Sequence, residues 1–232
     1  MTNIFSTTGG MTHSTVVTGL VSNGNYNYYV RCQDSAGNTD TYDYPISFTV
    51  SSTATSVSST FSGTATVLSD NGLWQTPVGS YGAMSENNGA YAVGTDAAMV
   101  RSPLVGPDEY SEITYSQDPG TSGWAGVMTR MQGATNGSGY LAFVYNETVY
   151  LYRVDDYGNG SLAWNYLEAV SANVGTAPRD LRLQSQGNTH TVILNGTVMI
   201  TYTDPNNTYS SGQPGIAAAT FSSIVTFSGG NL

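Results

Sequence analysis

The sequence predicts an all-β protein, most of it an antiparallel sandwich of two sheets. Three observations carry this reading. No long stretch combines an apolar repeat of three to four residues with capping residues, so no helix is expected. In VILNGTVMITY, residues 192–202, Asn195-Gly196 supplies the positive φ angles of a type I′ turn between alternating apolar residues. From Phe61 to Leu232, strand-like runs recur between turn residues over roughly 170 positions, enough for two packed sheets.

The elements follow in order along the chain. Residues 14–20 (STVVTGL) and 45–50 (PISFTV) have strand composition. Between them Tyr26, Tyr28, Val30 and Cys32 alternate with Asn27, Tyr29 and Arg31, which makes one face buried and one wet. Three strands are therefore expected in residues 1–50. Residues 51–60 (SSTATSVSST) are almost all Ser and Thr and read as a spacer. A second domain is expected over 61–232. Its strands are SEITYS (111–116), WAGVMTRM (124–131), the hairpin LAFVYNETVYLYRV (141–154) turning at Asn146-Glu147, RDLRLQSQG (179–187) and the 192–202 hairpin.

Composition limits the partners. Only 9% of the 232 residues are charged, none is Lys, and the net charge is −10. Nucleic acid and anionic membranes both select basic surfaces, so neither is an expected partner. No apolar run reaches membrane-spanning length. Cys32 is the single cysteine, which leaves no internal disulfide. No basic and apolar leader opens the chain, and the first unit has too few strands for a whole sandwich. The expectation is an internal piece of a longer secreted protein whose front, short of strands, buries its apolar face on the next domain or on a second copy.

Two resemblances sharpen this reading. TGLVSNGNYNYYVRCQDSAGN, residues 18–38, has a Leu, a Ser-Asn-Gly turn and a Tyr spaced as in a tyrosine corner, followed by an Asp-x-Ala-Gly-Asn loop. It resembles the last strands of a bacterial fibronectin type III domain, over about residues 12–50. The resemblance implies an inward-facing, structural Cys32. GWAGVMTRMQGATNGSGYLAFVY, VYLYRV, DLRLQSQGNTHTVILNGTVMITYTDPNNTYSSGQPGIAA and FSGGNL follow one another in order. Together they resemble a concanavalin A-like, laminin G-type jelly roll over roughly residues 61–232. That superfamily holds lectins, carbohydrate-binding modules, glycanases, lyases and spacer modules, so the fold leaves function open.

Catalytic signatures are sparse. His13 and His190 are the only histidines, and no Gly-x-Ser-x-Gly elbow accompanies them. Glu109 and Glu112 are three apart, which puts them on opposite faces of a strand, and Glu168 has no obvious companion. No catalytic residue is assigned. DDYGNG (155–160) fails the EF-hand spacing and reads as a turn. Asp70 and Asp204 are the candidate ligands for a calcium ion of the kind some jelly rolls carry.

Sugar sites combine aromatic platforms with planar polar side chains. Along 124–132 strict alternation puts Trp124, Met128, Arg130 and Gln132 on one face, with Arg153 on the neighbouring hairpin. These four polar and aromatic residues, Trp124, Arg130, Gln132 and Arg153, form the candidate glycan site. The expected function is a non-catalytic extracellular carbohydrate-binding or adhesion module that takes a polysaccharide or cell-surface glycan. Two alternatives stand beside it. One is a polysaccharide hydrolase or lyase with an unrecognised site, and the other is a spacer or assembly subunit that associates with itself through its first unit.

Overall fold

The computed structural model describes residues 5–8, 12–18, 20, 25–50, 56–69, 72–77, 82–93, 96–101, 106–117, 123–133, 137–156, 162–172, 178–219 and 222–232. The chain divides into two compact units, Met1–Thr53 and Ala54–Leu232. Every described strand pairing is antiparallel, and the described residues contain no helix.

The first unit pairs β1 (Asn25–Val30) with β2 (Tyr44–Thr49). Its two faces differ as the alternation requires. Tyr26, Tyr28 and Phe48 stack on one face, with ring centroids 5.7–6.5 Å apart. On the other, Ser47 donates to Asn27 and Thr49 to Asn25. Among the described residues of the expected strand at 14–20, only Ser14 pairs, in a single bridge with Thr7. Cys32 is exposed rather than inward. β1 stops at Val30, so the alternation that placed Cys32 beside Tyr28 does not reach it.

The second unit runs β3 (Ser56–Ser59), β4 (Thr64–Ala65), β5 (Trp74–Gln75), β6 (Met84–Asn87), β7 (Ala90–Ala92), β8 (Asp96–Arg101), β9 (Glu109–Gln117), β10 (Ala125–Met131) and β11 (Gly139–Tyr145). It continues with β12 (Thr148–Asp156), β13 (Leu162–Ser171), β14 (Arg179–Gln186), β15 (Thr189–Leu194), β16 (Thr197–Thr203), β17 (Gln213–Ala219) and β18 (Ser222–Asn231). One sheet has seven strands, ordered β13-β12-β11-β10-β17-β8-β5. The other has nine, ordered β16-β15-β14-β9-β18-β7-β6-β4, with β3 paired to β18. The result is a jelly-roll sandwich.

Alternation fills the space between the sheets. Ala125, Val127, Ala142, Leu151 and Ile216 face inward from the seven-stranded sheet, and meet Ile113, Leu181, Leu183, Val192 and Phe227 from the other. Both expected hairpins are present. Asn195 and Gly196 have φ of 49° and 76°, and Asn146 and Glu147 have 47° and 58°, the signature of type I′ turns. The Ser/Thr stretch departs from its spacer reading. Ser56–Ser59 is a strand of the nine-stranded sheet, with Val57 packed against the core. Ser and Thr at exposed positions do not prevent pairing when every second residue can face inward.

Candidate functional site

The predicted glycan residues do not share a face, because β10 is not regular to its end. The register with β17 shifts between Met128 and Met131, and Arg130 has a φ of 55°. Such a bulge adds one residue and resets the alternation beyond it. Trp124, Met128 and Met131 therefore point to the outer surface of the seven-stranded sheet, whereas Arg130 turns to the end of the sandwich and is 0% exposed.

There Arg130 is fully committed. Its Nε donates to Pro107 O at 3.2 Å, and Nη1 to Asn207 Oδ1 at 3.0 Å and Tyr209 O at 2.9 Å. Nη2 donates to Pro107 O at 2.9 Å and Gly187 O at 2.6 Å. Gln132 donates to Ser211 O, and Arg153 to Asp155 and Thr208. Tyr209 closes the set with a 2.5 Å bond to Asp155. All these groups hold the segment 204–212, which leads from β16 in one sheet to β17 in the other. Arg130, Gln132 and Arg153 are thus anchors of this strap; the side-chain donors of Arg130 and Gln132 are all taken, and Arg153 is held by Asp155 and Thr208. Arg153 also lies on the inward parity of β12 with Leu151, opposite Tyr150 and Tyr152.

Asp204 belongs to the same device. It accepts from Tyr140 Oη at 2.5 Å and from the amides of Asn206 and Thr208. Burial pushes its carboxyl up, but these donors outweigh burial and hold it at about 2. Both oxygens accept protein donors, which gives Asp204 a structural role in this turn. Asp70 lies outside the described residues. Among the described residues no three His, Cys, Asp or Glu side chains converge as a metal site would need.

A polar group not foreseen from sequence lies under the strap. Thr129 Oγ1 contacts Ser185 Oγ at 2.7 Å, and Ser185 Oγ contacts His190 Nδ1 at 2.9 Å. Ser185 and His190 are register partners flanking the β14–β15 turn. The pair has the atoms of a nucleophile and base, yet both residues are wholly buried and the Tyr140 ring lies 3.7 Å from that of His190. Burial, helped by the charge of Arg130, holds the His190 imidazole at about 4, so it is neutral in the folded protein. Glu109 is buried nearby, accepts from the Arg130 amide, and leaves Oε2 without a partner. Burial raises its carboxyl to about 8 against the pull of Arg130. Glu112, on the opposite face, pairs with Arg182 at 3.2 Å. The two carboxylates cannot flank one substrate.

Trp124 instead joins an aromatic surface on the outside of the seven-stranded sheet. β11 contributes Phe143, β12 contributes Tyr150 and Tyr152, and β13 contributes Trp164 and Tyr166. The alternation that buries Val149 and Leu151 puts the two tyrosines outside. Phe143 is the hub. Its centroid lies 4.8 Å from Trp124, 5.1 Å from Tyr150 and 5.7 Å from Tyr152. Trp164 stands nearly perpendicular to Trp124, Phe143 and Tyr152, and Tyr166 to Tyr152. Such edge-to-face contacts fix ring orientation. Trp124, Tyr150, Tyr152 and Trp164 are half-buried, and Tyr166 is 59% exposed. Burial, with the neighbouring phenols Tyr150 and Tyr166, raises the Tyr152 hydroxyl, which therefore stays a neutral donor. None of these side chains carries a charge.

Known structures share this architecture. A carbohydrate-binding module from Bacillus subtilis, CBM66, is 19% identical, with a TM-score of 0.52 over 66% of this chain and 91% of its own. The Bacillus licheniformis β-glucanase is 13% identical, with a TM-score of 0.51 over 78% and 100%. The calcium-bound exoplasmic domain of VIP36 is 14% identical, with a TM-score of 0.51 over 76% and 90%. The fold shared with these structures is an antiparallel jelly-roll sandwich. At these identities the likeness concerns fold alone, and binders and a hydrolase share it. No protein-family model matches the sequence, and no curated protein matches it.

Proposed function

We propose that the chain is a non-catalytic glycan-binding module that works outside the cell, as part of a larger secreted bacterial protein, and takes a neutral polysaccharide or cell-surface glycan on its aromatic face. The observation that carries this reading is the uncharged cluster of Trp124, Tyr150, Tyr152, Trp164 and Tyr166 on one sheet surface. Aromatic faces pack against the C–H faces of sugar rings, and the tyrosine hydroxyls at the rim match ring hydroxyls. The absence of cations in the cluster disfavours uronic or sulfated chains. A fibronectin-like first unit would serve as the tether.

Affinity electrophoresis of the full chain through gels containing neutral polysaccharides tests the reading. Tyr166→Ala is expected to weaken retardation at least tenfold (about 1.4 kcal/mol) at unchanged melting temperature, and Trp164→Ala by as much with a lowered melting temperature, since it also loses its contacts with Trp124, Phe143 and Tyr152. Undiminished binding by both variants would remove the site from this face. Release of reducing ends that a single carboxylate-to-amide change abolishes would replace the binding module with an enzyme.

A further inference from the structure

Where β3 and β6 of the nine-stranded sheet meet β5 of the seven-stranded sheet, a cleft of about 340 Å3 opens beside the turn after β3. Its floor is apolar and rigid. Phe61 packs on Trp74 at 5.8 Å and Trp74 on Phe227 at 4.9 Å, and Leu68 lies buried alongside. Its walls are hydroxyls and one carboxylate: Ser58, Thr60, Ser62 and Glu86. Ser59 Oγ is occupied, accepting from the Trp74 indole at 3.2 Å. Glu86 Oε1 accepts from the Gly63 amide at 2.8 Å, which aims the carboxylate across the cleft and leaves Oε2 available. The turn is bent out of its ordinary range, since Phe61 has a φ of 46°. A bulky side chain rarely adopts that conformation. Phe61 is buried in the floor, and Thr60 and Ser62 on either side of it are exposed at the cleft wall.

We infer that this cleft is a second binding site, separate from the aromatic face, for a single neutral hexose or polyol unit. The volume fits one small ligand. A carboxylate oxygen is a strong acceptor for paired hydroxyls, and serine and threonine serve as donor or acceptor as the partner requires. Among the described residues no cation lines the cleft, so an anionic ligand finds no counter-charge among them. The inference does not depend on the aromatic face.

The test is an NMR titration of the full chain with glucose, galactose, mannose, fructose and glycerol in turn. The Trp74 indole N–H and the amides of Ser58, Thr60 and Gly63 are expected to shift together with at least one of the five. Glu86→Gln, which preserves the Gly63 hydrogen bond through its amide oxygen, is expected to raise the dissociation constant at least tenfold at unchanged melting temperature. Ser62→Val, which alters only the rim, is expected to weaken binding in the same direction. Absence of shifts at Trp74 with all five probes overturns the cleft. So does a dissociation constant that Glu86→Gln and Ser62→Val leave unchanged. Shifts confined to the Trp124 and Trp164 indoles would overturn the cleft while sparing the aromatic face, and shifts confined to Trp74 would support the cleft independently of the face.

Discussion

Replacing Arg130 with Ala separates the two roles that this residue has been given. The guanidinium serves Pro107 O, Asn207 Oδ1, Tyr209 O and Gly187 O. Leaving a buried acceptor unmet costs about 1–3 kcal/mol, so these groups sum naively to roughly 4–12 kcal/mol. Pro107 and Gly187 lie at the surface, where water replaces the lost donor, and losses within one network do not add. About 3 kcal/mol is the expected destabilisation. For a unit of this size that lowers the melting temperature by roughly 6–12 °C. Amide hydrogen exchange should localise the damage to the strap, with Thr208 and Tyr209 losing protection first. Arg130→Lys should rescue little, since one ammonium cannot span acceptors arranged for a planar fork. A drop of less than about 2 °C would refute the anchoring role, as would lost glycan affinity at an unchanged melting temperature.

Two further outcomes follow from the same region. Glu109 sits at about 8 when folded against an ordinary 4.5, so its contribution to stability is complete below pH 4.5 and is lost as pH rises through 8. His190 sits at about 4 against 6.5, so its contribution is complete above pH 6.5 and is lost as pH falls through 4. Urea midpoints should therefore fall on both sides of mildly acidic pH, and Glu109→Gln should flatten the alkaline side alone; an unaltered alkaline slope would show that Glu109 is not the group responsible. Gly212→Ala should destabilise by about 2–3 kcal/mol, because its Cβ would lie 2.3 Å from the carbonyl carbon of Arg130 and force the strap off β10. A wild-type melting curve for that variant would mean the strap is not tightly seated.

Local chemistry made much of the sandwich legible. Asn195-Gly196 and Asn146-Glu147 announce their hairpins because left-handed backbone is tolerated by so few residues. Strict alternation along 179–186 and 149–152 likewise fixes which side chains enter the core. The candidate site was less legible because alternation fails silently at a bulge. Nothing in VMTRMQG marks Arg130 as the extra residue, and one misplaced parity carried Arg130 and Gln132 to the wrong surface. Trp164 and Tyr166 carry a period-two signal in LAWNYLEAVS, so β13 was readable and its aromatics were the recoverable part of the face. The Ser185–His190 contact joins residues across a turn, but its burial depends on Tyr140 and the strap, which sequence spacing does not bring together. The opening unit was misread at 14–20 and at Cys32 for a related reason. β-branched residues mark the capacity to pair, and a partner strand is still required.

The pairing of β3 with β18 has a mechanical consequence. Ser56 lies opposite Gly230 and Ser59 opposite Phe227, so the chain enters and leaves this unit side by side. Antiparallel hydrogen bonds run across the strands. Tension applied to the chain before Ser56 and after Asn231 would load them one at a time, from the Ser56 end inward, as a zip is opened. β3 would peel away at low force while β18, held also by β9, stayed in place. The Trp74 indole would lose Ser59 at that step, and the cleft would lose its wall. A jelly roll with this geometry yields first at the strand that borders the cleft, before its core is strained.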